Sequence, residues 1–163
     1  MVINQKTMIK KVLTFILFMV FLSSSFAQIT SDKEAKESLN WIIENPQIES
    51  DSTFTHKSAD IFKWYASNNP QVEMRVSGIS EFMDSSKSYK FFKEIIMIYT
   101  LSEIDNQISR NVDKNESSFL AISNVLKFYD RIIKIDENYK NSVLQKYSAL
   151  SEKGLKKQMK KLQ

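Results

Sequence analysis

The sequence predicts an all-α domain, a single bundle of about five helices. Three observations support this class. Turn-forming residues are scarce, with only two glycines and two prolines, whereas an all-β protein needs a turn every 8–12 residues or so. Apolar residues recur at helical spacing in several segments, and acidic or hydroxyl residues stand where helices would begin. We therefore expect helices connected by short loops.

The first predicted helix runs from Asp32 to Glu44. Ser31 and Glu34 have the spacing of a capping box, in which each side chain bonds the other residue's backbone N–H. Its inward residues would be Ala35, Leu39, Ile42 and Ile43. Asn45-Pro46 ends it, because a residue that precedes proline is pushed out of the helical region.

A second helix is expected from about Thr55 to Ser67, with Ala59, Phe62, Ala66 and either Trp64 or Tyr65 facing inward. Val72, Met74 and Val76 then alternate with polar residues, which indicates a short extended connector, and a helical turn follows around 79–83. From Ser88 to about Ile104 the chain is apolar almost all round. A helix with so small a polar face is a central one, covered on several sides.

Two more helices complete the predicted bundle. Asp113 and Glu116 offer a capping pair for a helix to Ile135, with Phe119, Ile122, Leu126, Tyr129 and Ile133 inward. The last helix would run from Glu137 towards the C-terminus, with Tyr139, Val143, Tyr147 and Leu150 inward. Beyond Gly154 lysines dominate, so we expect a basic and frayed end. That end could attract anionic lipid, lipopolysaccharide or nucleic acid, but a solvated helix end is the simpler interpretation.

Residues 1–27 have the three-part order of a secretory signal peptide. Lys6, Lys10 and Lys11 precede an apolar run from Val12 to Leu22, and small residues follow, so that cleavage would fall between Ala27 and Gln28. The apolar run is shorter than the roughly 20 residues that a membrane-spanning helix needs. We expect an exported protein, periplasmic or secreted, with no stable membrane insertion once the signal is removed and with residues 28–163 as one helical domain.

Charge and composition limit the classes of partner that we expect. All three lysines of the signal peptide would be lost, which leaves 20 basic against 19 acidic residues. A nearly neutral domain gives no reason to expect a nucleic-acid partner. The absence of cysteine fits a chain long enough to form a core without disulfides.

No pattern predicts a catalytic residue, a cofactor or a metal site. The only histidine, His56, lacks the companion ligands that a metal site needs. A calcium loop that began at Asp113 would require glycine and glutamate at its sixth and twelfth positions, where the chain has Ser118 and Asn124. If the protein were an enzyme, its site would be expected near His56, with Asp60 or Glu49.

The chain resembles two groups of helical proteins. Leu126–Leu150 is similar to the join between two tetratricopeptide repeats, but the diagnostic small residue and proline are replaced by Ile132 and Glu137, which indicates similar helix packing only. The whole chain resembles small exported helical proteins of Bacteroidetes-type bacteria, which have no assigned activity. That resemblance rests on Phe26-Ala27-Gln28, on Trp41 with Asn45-Pro46, and on Phe62-Lys63-Trp64 followed by Asn69-Pro70.

We therefore expect a non-enzymatic binding or accessory protein whose partner is a protein or another envelope component. Trp41 and Trp64 lie slightly off the main apolar stripes of their helices, and tryptophan is favoured at binding hot spots. They are the candidate contact residues. Two alternatives stay open: an inhibitor or immunity-type protein that blocks a partner's site, and a hydrolase whose site has no recognisable motif.

Overall fold

A computed structural model describes residues 28–46, 51–69, 72 and 80–161 of the chain. These residues form no strand, so the predicted all-α class is confirmed. The predicted number of about five helices is wrong, because the described residues contain seven α-helices and one 3-10 turn. The helices are α1 (Asp32–Glu44), α2 (Asp51–Asn68), α3 (Ser80–Ser86), α4 (Phe92–Arg110), α5 (Lys114–Ile135), α6 (Ser142–Ser148) and α7 (Glu152–Lys161), and the 3-10 turn is Glu137–Tyr139.

Helix α1 has the predicted bounds and the predicted buried face of Ala35, Leu39, Ile42 and Ile43. Ser31 caps its first turn by accepting a hydrogen bond from the Glu34 N–H at 3.2 Å. The return bond of a capping box does not form here, since the Glu34 carboxylate instead accepts from the Thr30 N–H and hydroxyl. Asn45 ends the helix by donating its backbone and side-chain N–H groups to the Trp41 carbonyl.

The inward face predicted for α2 is wrong. Ala59 and Ala66 are exposed, and Phe62 is 44% exposed. The buried stripe is Phe54, Ser58, Ile61 and Tyr65, which has the i, i+4, i+7, i+11 spacing of one helix face. The helix begins at Asp51 rather than near Thr55, so Phe54 belongs to it. Of the two aromatic alternatives, Tyr65 is buried and Trp64 partly so.

The centre of the bundle is the antiparallel pair α4 and α5, which form the most extensive helix contact among the described residues, and α1 packs on both. All six positions from Leu101 to Asn106 are buried, which confirms α4 as the central helix. It continues past the predicted end at Ile104 to Arg110. In α5, Asp113 caps the first turn as predicted, and Phe119, Ile122, Leu126 and Tyr129 are buried.

The single C-terminal helix of the prediction is divided in two and preceded by the 3-10 turn. Asp136 caps the turn, and Asn141 begins α6 by accepting from the N–H groups of Val143 and Leu144. Ser151 then accepts from the Gly154 N–H at the start of α7. Each of these short polar side chains offers the backbone a local alternative to a continuous helix. Within α7, the side chains of Leu155 and Met159 are buried.

Two predictions lie outside the described residues. One is the signal peptide, residues 1–27, and the other is the extended connector, of which only Val72 is described; it packs against the core. Within the described part of the chain, no helix is both long enough and apolar enough to cross a membrane.

Candidate functional site

Both candidate tryptophans lie at the interface between α1 and α2, which we call the seam. These helices run antiparallel, because Asp32 at the start of α1 contacts Trp64 near the end of α2, while Trp41 contacts Lys57. Asp32 and Trp41 are nine residues apart, which corresponds to about 13 Å along the helix axis. The two indoles therefore lie at opposite ends of one seam.

The Trp64 side chain makes its contacts within the protein. Its Nε1–H donates to Asp32 Oδ1 at 2.7 Å, and the side chain is partly buried against the core. Asp32 lies in the first turn of α1, where a carboxylate also complements the helix dipole. This arrangement connects the two helices and uses the only polar atom of the indole. A contact role for Trp64 stays a prediction.

Trp41 has a different environment. It is 37% exposed and lies on the wall of a groove of about 300 Å³ between the two helices. We call this cleft the Trp41 groove, and it is lined by Ile29, Glu34, Glu37, Ser38, Trp41, Lys57 and Asp60. Glu34, Ser38 and Trp41 have i, i+4, i+7 spacing, so α1 presents them along one side of the groove.

Acidic groups predominate in the Trp41 groove, where three carboxylates accompany one lysine. The backbone N–H of Thr30, together with its hydroxyl, holds the pKa of Glu34 below its ordinary value. Glu37 pairs with Lys33 at 3.8 Å on the exposed surface of α1. Lys57 places its Nζ 4.8 Å from the centroid of the Trp41 ring, which is a cation–π contact.

His56 is exposed on α2, one residue before Lys57. Asp60 follows it by one helical turn, whereas Glu49 lies outside the described residues. No group of three or more histidine, cysteine, aspartate or glutamate side chains in the described chain is arranged to hold a metal ion. Of the predicted cleavage site, Ala27 lies outside the described residues and Gln28 is exposed.

A second cavity, of about 320 Å³, lies where α7 packs against the start of α5. Lys156 bridges the two helices by pairing with Glu116 at 3.2 Å, and it also pairs with Glu152. Its Nζ lies 4.5 Å from the centroid of the Phe119 ring. The hydrogen bond to Glu116 raises the pKa of Lys156, despite some loss of hydration. Lys156, one lysine of the basic C-terminal segment, therefore connects α7 to α5 through an ion pair.

Two buried acidic residues of α4 make hydrogen bonds that the sequence prediction missed. Glu103 is 0% exposed, and its Oε1 accepts from the Ser118 hydroxyl of α5 at 2.7 Å. Asp105, also buried, accepts at Oδ1 from the Tyr65 hydroxyl of α2 at 2.9 Å and from Ser109 at 2.8 Å. The two carboxylates thus connect the central helix to α5 and to α2.

The fold and the groove define a class only: an all-α bundle that carries an exposed aromatic side chain in an acidic cleft. Comparison of the chain with known protein families, with curated proteins and with solved structures found no match.

Proposed function

We propose that this protein is a non-enzymatic, exported binding or accessory protein and that the Trp41 groove is its contact surface. The observation that carries the proposal is the position of Trp41, 37% exposed on the wall of a groove of about 300 Å³. Tryptophan contributes disproportionately to binding energy where it borders a pocket that a partner can desolvate.

The groove is held in shape by the core beneath it. Ala35, Leu39 and Ile42 of α1 and Ile61 of α2 are fully or almost fully buried and belong to the common core on which both helices pack. At the far end, the Trp64–Asp32 hydrogen bond fixes the spacing of the same two helices. A contact surface whose two helices keep their positions avoids part of the entropic cost of association.

Export is the part of the proposal that rests on the sequence alone, namely on the order of charged, apolar and small residues in residues 1–27. The measurement is N-terminal sequencing of the protein from the envelope fraction of the cells that produce it. A mature chain beginning at Gln28 supports export. A chain recovered from the cytoplasm with residues 1–27 intact contradicts it.

The binding function is tested by capture from the envelope fraction with three immobilised proteins: the wild type, Trp41→Ala and Ile135→Ala. Ile135 is 60% exposed at the end of α5, so it provides a matched loss of exposed apolar surface outside the groove. We expect one protein retained in equal amount by the wild type and Ile135→Ala and lost with Trp41→Ala. Because truncation of Trp41 could disturb the seam, Glu37→Lys on the exposed side of the groove is a second variant that should also lose the partner.

Two outcomes would contradict the proposal. One is retention of the partner by both groove variants. The other is hydrolysis of generic ester or glycoside substrates by the purified protein, with activity that survives in Trp41→Ala.

A further inference from the structure

We propose that the Trp41 groove binds a lysine or arginine side chain carried by a segment of a partner protein. This inference rests on the proposed function, since it names what the same groove takes up.

Trp41 already contacts a cation of its own chain. The Lys57 ammonium lies 4.8 Å from the ring centroid, within the distance of about 6 Å at which a tryptophan face attracts positive charge. Lysine has a flexible four-carbon stem, so Lys57 can withdraw from the ring at little cost. We interpret it as an occupant that a partner's cation replaces.

The charges of the Trp41 groove are complementary to a cation. Three carboxylates, those of Glu34, Glu37 and Asp60, face one ammonium in the groove. The hydrogen bonds from Thr30 hold the pKa of Glu34 low, so this carboxylate is anionic at neutral pH. The Lys33 partner of Glu37 is largely exposed, and such pairs are weak. An incoming cation therefore meets acceptors that the chain's own cations compensate only in part, whereas an anion would be repelled.

The size of the Trp41 groove suits a side chain. A groove of about 300 Å³ stands at the lower limit of the range for small-molecule sites, about 300–1,000 Å³. It can take up one or two side chains but no folded element. Ile29 and the indole of Trp41 give it an apolar wall for the aliphatic stem of a lysine or arginine. A protruding basic segment of a partner protein fits both the size and the charge.

The test uses three acetylated, amidated pentapeptides of alternating glycine with lysine, norleucine or glutamate, added to the full mature protein labelled with ¹⁵N. The chain has two indole N–H signals, which Trp41→Phe and Trp64→Phe assign. We expect the lysine peptide to shift the Trp41 signal, with a response that weakens as salt is added. The Trp64 signal, bonded to Asp32, should remain in place.

Matched variants separate the Trp41 face from general attraction between charges. Lys57→Met removes the internal competitor and should raise affinity for the lysine peptide about two- to fivefold. Lys63→Met makes the same change in net charge at an exposed position of α2 outside the groove, and it should alter affinity less than about 1.5-fold. Glu37→Gln should lower affinity about two- to fivefold.

The possible failures are distinguishable. If the norleucine or glutamate peptide shifts the Trp41 signal as much as the lysine peptide, the ligand class is wrong while the groove remains a binding surface. If Lys57→Met and Lys63→Met have equal effects, the Trp41 face is not the cation site. If no peptide shifts the signal but Trp41→Ala still loses its captured partner, the inference fails and the proposed function stands. Capture unaffected by groove variants overturns both.

Discussion

Replacing Tyr65 by phenylalanine removes one hydroxyl from the interior and leaves the ring in place. That hydroxyl donates to Asp105 Oδ1 at 2.9 Å, and both residues are buried. Burial, and then the neighbouring Asp105 carboxylate, raise the pKa of Tyr65 well above its ordinary value, so the phenol remains a donor throughout the accessible pH range. Ser109 is the other described donor to the same carboxylate oxygen.

The magnitude follows from what the substitution leaves behind. A hydrogen bond to a charged group contributes about 1.5–3 kcal/mol, and a buried acceptor that loses its donor keeps its desolvation cost. We expect Tyr65→Phe to lower the free energy of unfolding by about 1.5–3 kcal/mol. That is a large part of the total, since a domain of this size is stable by about 5–15 kcal/mol.

The assay is urea denaturation followed by circular dichroism, with Tyr139→Phe as the control. The Tyr139 hydroxyl accepts a hydrogen bond from Lys90 at the surface, where water can replace it. That variant should lose less than about 0.5 kcal/mol. If Tyr65→Phe costs no more than Tyr139→Phe, then Asp105 does not need its donor from α2, and the connection we assign between α4 and α2 is wrong.

Three further predictions concern the core, the titration of buried tyrosines and helix capping. Ile61→Ala should lower the free energy of unfolding by about 2–5 kcal/mol, as measured by urea denaturation, because Ile61 is 0% exposed. Phe62→Ala should lower it by less, because Phe62 is 44% exposed. The reverse order would support the inward face that the sequence predicted. Burial raises the pKa of both Tyr89 and Tyr99. Their neutral phenols therefore stabilise the folded state fully below the unfolded-state pKa of about 10. This stabilisation is lost as the pH rises above that value, at up to about 1.4 kcal/mol per residue per pH unit. Denaturation midpoints should therefore fall steeply between about pH 10 and pH 12, and a flat profile there would contradict the burial of these phenols. Asp113→Ala should lower the free energy of unfolding by about 1 kcal/mol, because its carboxylate accepts from two N–H groups at the start of α5, whereas Asp113→Asn should retain most of that stability.

The helix starts were predictable wherever a short polar side chain stands immediately before an apolar periodic run. Ser31 before α1 and Asp113 before α5 cap these helices as the sequence indicates. The interrupted C-terminal segment contains the same kind of signal at Asn141 and Ser151, but the apolar positions continue on both sides. The choice between one long helix and two short ones depends on packing against α5, which a sequence pattern does not include.

The errors in the buried surface have a common physical origin, the presence of polar residues inside. Ser58 occupies the core stripe of α2 and interrupts its apolar pattern, so the neighbouring stripe of Ala59, Phe62 and Ala66 was the better apolar match. In α4, Glu103 and Asp105 are buried and accept hydrogen bonds from other helices, and the helix continues past the predicted end at Ile104. Buried polar residues depend on tertiary partners, and those partners are distant in sequence.

The two tryptophans show how far the candidate site could be predicted. The sequence places both beside the main apolar stripes of their helices; in the structure Trp41 is 37% exposed and Trp64 is partly buried. What separates them is the residue opposite each one across the seam. Asp32 accepts a hydrogen bond from the indole N–H of Trp64, so the Trp64 side chain contributes to the packing of α1 against α2. Trp41 faces the Lys57 ammonium, which lies 4.8 Å from the ring centroid, and it is 37% exposed beside three carboxylates. Asp32 and Trp41 are nine residues apart on α1, and the residues that they contact, Trp64 and Lys57, are seven residues apart on α2. Both contacts form only when the two helices are antiparallel and in this register. The seam therefore contains one indole whose N–H is used in helix packing and one that remains 37% exposed beside three carboxylates, and the exposed one is the end at which we propose that a cation binds.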